Sequence, residues 1–232
     1  AIGHDGEIQW QRSLTKEYGD FQGNHGVGTS LVQSSDHLVL LIDHSADGYL
    51  LKMNKKTGEN SWKIDREKRV SWSTPVIDAT VSPNQIVISS NGIVEGVSFK
   101  NGRQLWSYLG VEKNTIPSAT VTRDLILVGS SVKPSSIALP RDKAGSIAKD
   151  QVSWTAENAT SSMSSPLVVG ENVYYVSRAG VLSCNDLKTG KQLWDHRLPA
   201  SCWATPVGAG DAIYYFCKEG STVVMKNERS GP

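Results

Sequence analysis

The apolar residues of this chain fall into short blocks instead of helical stripes. Five blocks stand out, at residues 38–42, 86–89, 125–128, 173–176 and 213–216. Each is rich in β-branched or aromatic residues, bounded by Gly, Asn or Asp, and too short for a helix, so each reads as a strand. Two phrases recur around these blocks. The first is a glycine turn followed by Trp: Gly6 to Trp10, Gly58 to Trp62, Gly102 to Trp106 and, most cleanly, Lys188-Thr189-Gly190-Lys191-Gln192-Leu193-Trp194. A degenerate copy ends at Trp154, with Gly145 further upstream. Successive Trp residues are 52, 44, 48 and 40 positions apart. The second phrase precedes each apolar block: Ser73-Thr74-Pro75-Val76, Ser164-Ser165-Pro166-Leu167 and Ala204-Thr205-Pro206-Val207, with weaker copies at Thr29-Ser30-Leu31-Val32 and Pro117-Ser118-Ala119-Thr120.

Each period thus holds a short strand after the Ser-Pro phrase, the apolar strand, a third strand before the Thr-Gly turn (Tyr49-Leu50-Leu51-Lys52 or Val181-Leu182-Ser183-Cys184), and a fourth ending in Trp. Four strands in some forty to fifty residues make a propeller blade, so the expected fold is all-β, a β-propeller of four-stranded antiparallel blades. One domain, residues 1–232, is expected, with blades at about 29–62, 73–106, 117–154, 164–194 and 204–226. The last lacks a Trp strand, while residues 5–12 carry one without a blade before it. Two closures follow: residues 5–12 complete the fifth blade as a latch, or these residues are a five-blade portion of a larger ring. The Trp side chains are assigned to wedging between blades, where a large ring buries much area. Residues 132–150 read as an irregular insertion.

Composition narrows the partners. Lysine and arginine number 24 against 23 acids, giving a net charge of +1, which provides no electrostatic case for nucleic acid. No apolar run is long enough to span a bilayer. The three cysteines, Cys184, Cys202 and Cys217, form no CxxC pair, and their odd number forbids complete internal pairing. Buried thiols are expected, with a Cys202–Cys217 or Cys184–Cys217 bridge open to an exported chain.

The xDxxTGxxxW segment at 185–194 and Ser164-Ser165-Pro166-Leu167-Val168 resemble the repeat of pyrroloquinoline-quinone-type (PQQ-like) propellers, over nearly the whole chain. Residues 24–30 and 69–75 are similar to the exported PQQ-like propellers of planctomycete-type bacteria. The resemblance implies a bacterial protein, exported to the periplasm or cell surface. Quinoprotein dehydrogenases of the family hold the quinone with a vicinal Cys pair, a stacking Trp and a Glu/Asn/Asp calcium site. This chain has no vicinal Cys pair. Another branch, the outer-membrane assembly lipoproteins, consists of non-enzymatic scaffolds. The implied role is therefore binding without a cofactor, the alternative being a quinoprotein-type oxidoreductase using PQQ with calcium.

Propellers of this kind bind on the loops that lead into the innermost strands. Counting back from the Pro-equivalent positions aligns Gly28, Trp72, Ile116, Met163 and Trp203. Trp72, Trp203, Met163 and Ile116, joined by His25 in Gly23-Asn24-His25-Gly26, are the candidate channel-mouth site. The expected occupant is a protein loop, a peptide or a carbohydrate or other small molecule held on aromatic rings. If these indoles are platform and not core, replacing both Trp72 and Trp203 leaves stability little changed. The five His residues show no zinc spacing, so no metal is expected. Asp43-His44-Ser45 contains triad residue types in a polar hairpin tip, and residues 63–69 read as a charged, solvated loop.

Overall fold

The computed structural model describes residues 1–132 and 136–231. Its sheets follow the repeat. Blade 1 contains β1 (Val32–Gln33), β2 (His37–Ile42), β3 (Gly48–Asn54) and β4 (Asn60–Arg66) in that order. Blade 2 contains β5 (Val76–Asp78), β6 (Gln85–Ser90), β7 (Ile93–Ser98) and β8 (Gln104–Tyr108). Blade 3 is built from β9 (Thr120–Val121), β10 (Leu125–Gly129), β11 (Ser136–Pro140) and β13 (Trp154–Ala156), while β12 (Gly145–Ser146) joins the outer edge of blade 2 by pairing parallel with β8. Blade 4 contains β14 (Leu167–Val169), β15 (Asn172–Val176), β16 (Val181–Asp186) and β17 (Gln192–Arg197). Blade 5 has three strands, β18 (Val207–Ala209), β19 (Ala212–Phe216) and β20 (Thr222–Lys226). All pairings within blades are antiparallel, and the fold is the expected β-propeller. The expected irregular insertion at 132–150 is corrected by β11, which pairs with β10 and β13 as the third strand of blade 3; residues 133–135 of that span lie outside the described residues.

The second strands read as unbroken apolar runs because both sides of each blade are covered. Ile86 and Ile88 of β6 pack on Val39, Leu41 and Leu50 of blade 1, whereas Val87 between them packs on Ile126 and Val128 of blade 3. Leu127 points on to Val173 and Tyr175, and Tyr174 and Val176 meet Ile213 and Tyr215. The two-residue side-chain period of a strand thus sends alternate residues to opposite neighbours.

The tryptophans wedge between blades with one repeated geometry. Trp10 Nε1 donates to Lys55 O at 3.0 Å, Trp62 to Phe99 O at 3.3 Å, Trp154 to Leu187 O at 3.0 Å and Trp194 to Glu228 O at 3.0 Å. Each acceptor lies three residues before a turn glycine with positive φ: Gly58, Gly102, Gly190 and Gly231. The ring lies over that glycine, so a Cβ on Gly58 would approach Trp10 to 2.6 Å and one on Gly190 would approach Trp154 to 2.5 Å. Glycine is needed there twice over, for the left-handed backbone and for the room the indole takes. The turn at Asn227-Glu228-Arg229-Ser230-Gly231 is a further copy of the Thr-Gly phrase, one that its altered residues conceal in the sequence. Blade 3 has no such glycine turn. Trp106 Nε1 instead donates to Gln85 of its own blade at 2.7 Å, and blades 2 and 3 are clipped by Arg141 on Asp78, with Nε at 2.8 Å.

The expected latch is not made. Residues 5–12 contain no strand of the blade 5 sheet; Ile2 and Ile8 form an isolated bridge, and Trp10 sits on the blade 1 turn. The wedge decides this, since Trp10 occupies on blade 1 the place Trp62 occupies on blade 2. A short helix, α1 (Leu14–Tyr18), follows, and Trp10, Leu14, Tyr18, Phe21 and Val27 cover Leu40, Ile42, Tyr49 and Leu51 on the free side of blade 1. On blade 5, Val207, Phe216 and Val224 remain exposed on the face away from blade 4.

Replacing Gly190 with Ala combines a left-handed backbone cost with a clash against Trp154, an expected loss of about 2–4 kcal/mol in urea unfolding. Burial works against the Asp78 carboxylate, but Arg141, Gln85 and Thr80 outweigh it and hold it at about 2. Its contribution is present above the unfolded value near ~4 and is lost as pH falls through about 2. Unfolding midpoints of Arg141→Met should therefore depend less on pH between about 4 and 2 than those of the parent chain.

Candidate functional site

The hydroxyl in each Ser-Pro phrase has a role that the sequence did not disclose. The Ser30 N–H donates to Thr74 Oγ1 at 3.0 Å, the Thr74 N–H to Ser118 Oγ at 2.9 Å, the Ser118 N–H to Ser165 Oγ at 3.0 Å and the Ser165 N–H to Thr205 Oγ1 at 2.9 Å. A continuous belt results, in which each blade's backbone is fastened by the hydroxyl of the next. The weak copies have Leu31 and Ala119 at the proline position but keep the hydroxyl residue before it, Ser30 and Ser118. Gly28, Trp72, Ile116, Met163 and Trp203 each stand two residues before a member of this belt, so the structure places them in equivalent positions on the loops leading into successive first strands.

Equivalence of position does not make them one surface. His25 and Trp72 do meet, with ring centroids 5.8 Å apart in an edge-on arrangement. Trp72 Nε1 also donates to Gly26 O at 3.1 Å, and the indole lies on Gly28, where a Cβ would approach it to 2.8 Å. The Trp72 backbone N–H donates to Thr115 O at 2.6 Å, which ties this loop to the one bearing Ile116. His25, Trp72 and His44 line a concavity of about 280 Å³. Trp72, Ile116 and Met163 are half-buried. Trp72 is therefore a bridge between the leading loops of blades 1 and 2 and not a bare platform.

Trp203 differs. It is 38% exposed, and two cations lie over its ring, Arg178 with its guanidinium carbon at 4.9 Å and Lys218 Nζ at 4.3 Å from the centroid. The surface offered here is an indole carrying two positive charges, which attracts anionic groups.

Of the triad residue types at 43–45, Asp43 and His44 are buried and already engaged. His44 Nδ1 accepts from the Gln22 N–H at 2.9 Å, and its other ring nitrogen lies 3.1 Å from Asp47 O. Asp43 accepts from Arg66 Nε at 2.9 Å and from the Ser90 hydroxyl. The segment is the expected hairpin tip, joining the antiparallel β2 and β3, but its Asp43 and His44 are turned inward and act as an interior staple. The solvated-loop reading of residues 63–69 is corrected likewise: 63–66 belong to β4, and Arg66 is buried between Asp43 and Glu95, across blades 1 and 2. Burial opposes the Arg66 charge, yet the two carboxylates outweigh it and hold its pKa above the ordinary value. Among the described residues, no group of three or more His, Cys, Asp and Glu side chains is placed to hold a metal ion.

Comparison with known proteins fits this geometry. A family profile described as "Outer membrane protein assembly factor BamB" matches residues 1–231. The chain belongs to that family. A curated relative, the outer membrane protein assembly factor BamB of Shewanella oneidensis, is 24% identical over 97% of this chain and 58% of its own length. The chain thus spans under two thirds of that relative. The crystal structure of BamB from Moraxella catarrhalis superposes with a TM-score of 0.71 at 17% identity, covering 97% of this chain and 66% of that one. The computationally designed Ika8 protein gives a TM-score of 0.54 at 14% identity, covering 89% of this chain and 73% of its own. At such identities the structural likeness speaks to the propeller fold.

Removal of the Trp72 ring should cost about 2–3 kcal/mol in urea unfolding, since it strips the packing on Gly28 and His25, whereas Trp203→Ala should cost under about 1 kcal/mol. Equal effects would contradict the distinction. Asp43→Ala, which strands Arg66 beside a single carboxylate, should destabilise by about 3–5 kcal/mol.

Proposed function

We propose that this chain is a non-catalytic propeller scaffold that binds protein in the envelope of a bacterium, using the loops that lead into its first strands. Family membership over residues 1–231 supports the scaffold reading. The name of the Shewanella oneidensis relative, outer membrane protein assembly factor, supports a role outside the cytoplasm with protein partners. The carrying observation is the Trp203 cluster: an exposed indole under Arg178 and Lys218. Such a cluster suits an acidic peptide segment, whose carboxylates meet the two cations beside the indole. It suits a sugar less well, because a sugar stacks on an uncovered ring. Trp72 and His25 support the neighbouring loops.

The donor groups fit a quinone–calcium pair poorly. The cysteines at 184, 202 and 217 include no pair consecutive in sequence, and the acidic side chains Asp43, Asp78 and Glu95 are committed to Arg66 and Arg141.

The test is titration of the purified chain with an unstructured Glu/Leu-containing peptide, followed by Trp fluorescence. Saturable binding is expected that weakens as salt rises and falls at least roughly tenfold in Arg178→Ala with Lys218→Ala. Binding unchanged by that double substitution would overturn the site. Saturable binding of pyrroloquinoline quinone with calcium, seen as a shift in absorbance or melting temperature, would overturn the non-catalytic reading.

A further inference from the structure

Cys202 and Cys217 face each other across an isolated antiparallel bridge. The sequence left two bridges open, 202–217 and 184–217. The ladder separates them. Cys184 lies opposite Trp194 on one side and Tyr174 on the other, so its cross-strand neighbours are aromatic. Around the other two, the Lys218 N–H donates to Ser201 O at 2.8 Å, while the Cys217 N–H is turned to Ser221 O at 2.9 Å. Flanking bonds of this kind mark the non-hydrogen-bonded type of antiparallel pair, in which opposed Cα atoms approach to about 4.5 Å and side chains lie closest. That spacing is within the range a disulfide requires, roughly 4.4–6.8 Å. Both thiols are reduced here, and Cys202 Sγ lies 3.4 Å from Phe216 O.

We infer that Cys202 and Cys217 form a dithiol built to close into a disulfide by exchange with a disulfide-bearing oxidant, such as oxidised glutathione or an oxidase's own cystine. Cys217 is the thiol with some exposure, at 6% against 0% for Cys202. Its thiolate attacks one sulfur of the oxidant, forming a mixed disulfide and expelling one glutathione thiolate. Cys202 then loses its proton and attacks Cys217 Sγ, forming the intramolecular bond and expelling the second glutathione. Two cysteine thiols are oxidised, one glutathione disulfide is reduced to two thiols, and the cysteine protons end on glutathione. Burial, and next the neighbouring Cys217, push the Cys202 thiol above its ordinary value, so the closing step is held back near neutral pH and quickens as pH rises.

The bond has a structural consequence. Trp203 follows Cys202, and Lys218 follows Cys217, so the bridge joins the two backbone segments that carry the indole and its cation. The inference requires no partner at that surface and stands apart from the scaffold reading.

The reduced chain is incubated natively with oxidised glutathione, and in parallel refolded in a glutathione redox buffer. Expected are loss of two of the three thiols on counting under denaturing conditions, a mapped 202–217 linked peptide, and Cys184 left free. The oxidised chain should melt higher by roughly 5 °C, reversibly with dithiothreitol. Cys184→Ser should close equally well. Cys202→Ser should instead stop at the mixed disulfide on Cys217. Three thiols remaining after both native incubation and refolding, or a mapped bridge that includes Cys184, would overturn the inference. Peptide titration of the same oxidised and reduced samples reports on the scaffold reading separately.

Discussion

An indole seated on a glycine turn is the contact on which this molecule depends. Each blade is a small antiparallel sheet with apolar side chains on both faces, and such a sheet has no stability until both faces are covered. The Trp at the end of one blade reaches the turn of the next, donates its N–H to a carbonyl three residues before the glycine and lies over the Cα where any other residue would place a side chain. One hydrogen bond and one close approach set both the distance and the angle between neighbouring blades. Where the turn is missing, in blade 3, the Asp78–Arg141 ion pair takes over the fastening, and Trp106 turns to its own blade. The same contact explains the N-terminal segment, because Trp10 finds its glycine on blade 1.

A second fastening runs through the first strands. The hydroxyl belt from Thr74 to Thr205 holds the loops that carry Trp72, Ile116, Met163 and Trp203 in step. Within this common frame, local neighbours give the loops different characters. Gly28 admits the Trp72 ring into a packed corner, whereas Arg178 and Lys218 leave Trp203 at the surface and charge it. The cysteine pair sits one residue before that indole on one segment and one residue before Lys218 on the other, so its redox state and the rigidity of the cluster are mechanically linked.

The periodicities alone specified much. Strand positions, blade length, the wedging role of tryptophan and the equivalence of the five loop positions all follow from repeats at two and about forty-five residues, because these are local rules that any chain with this pattern obeys. Other features depend on which distant group arrives first at a shared partner. Trp10 looked equally fit to cap blade 5, and only packing on Gly58 and Lys55 settled it. Arg66 read as a surface charge until two carboxylates from different blades enclosed it. The choice between two cysteine bridges was a matter of register across a single ladder step. Sequence determined the repeating unit, since strand period and turn chemistry act within a few residues. Tertiary structure decided which face was covered, which charge was buried and which thiols met, since those outcomes are set by contacts between residues tens of positions apart.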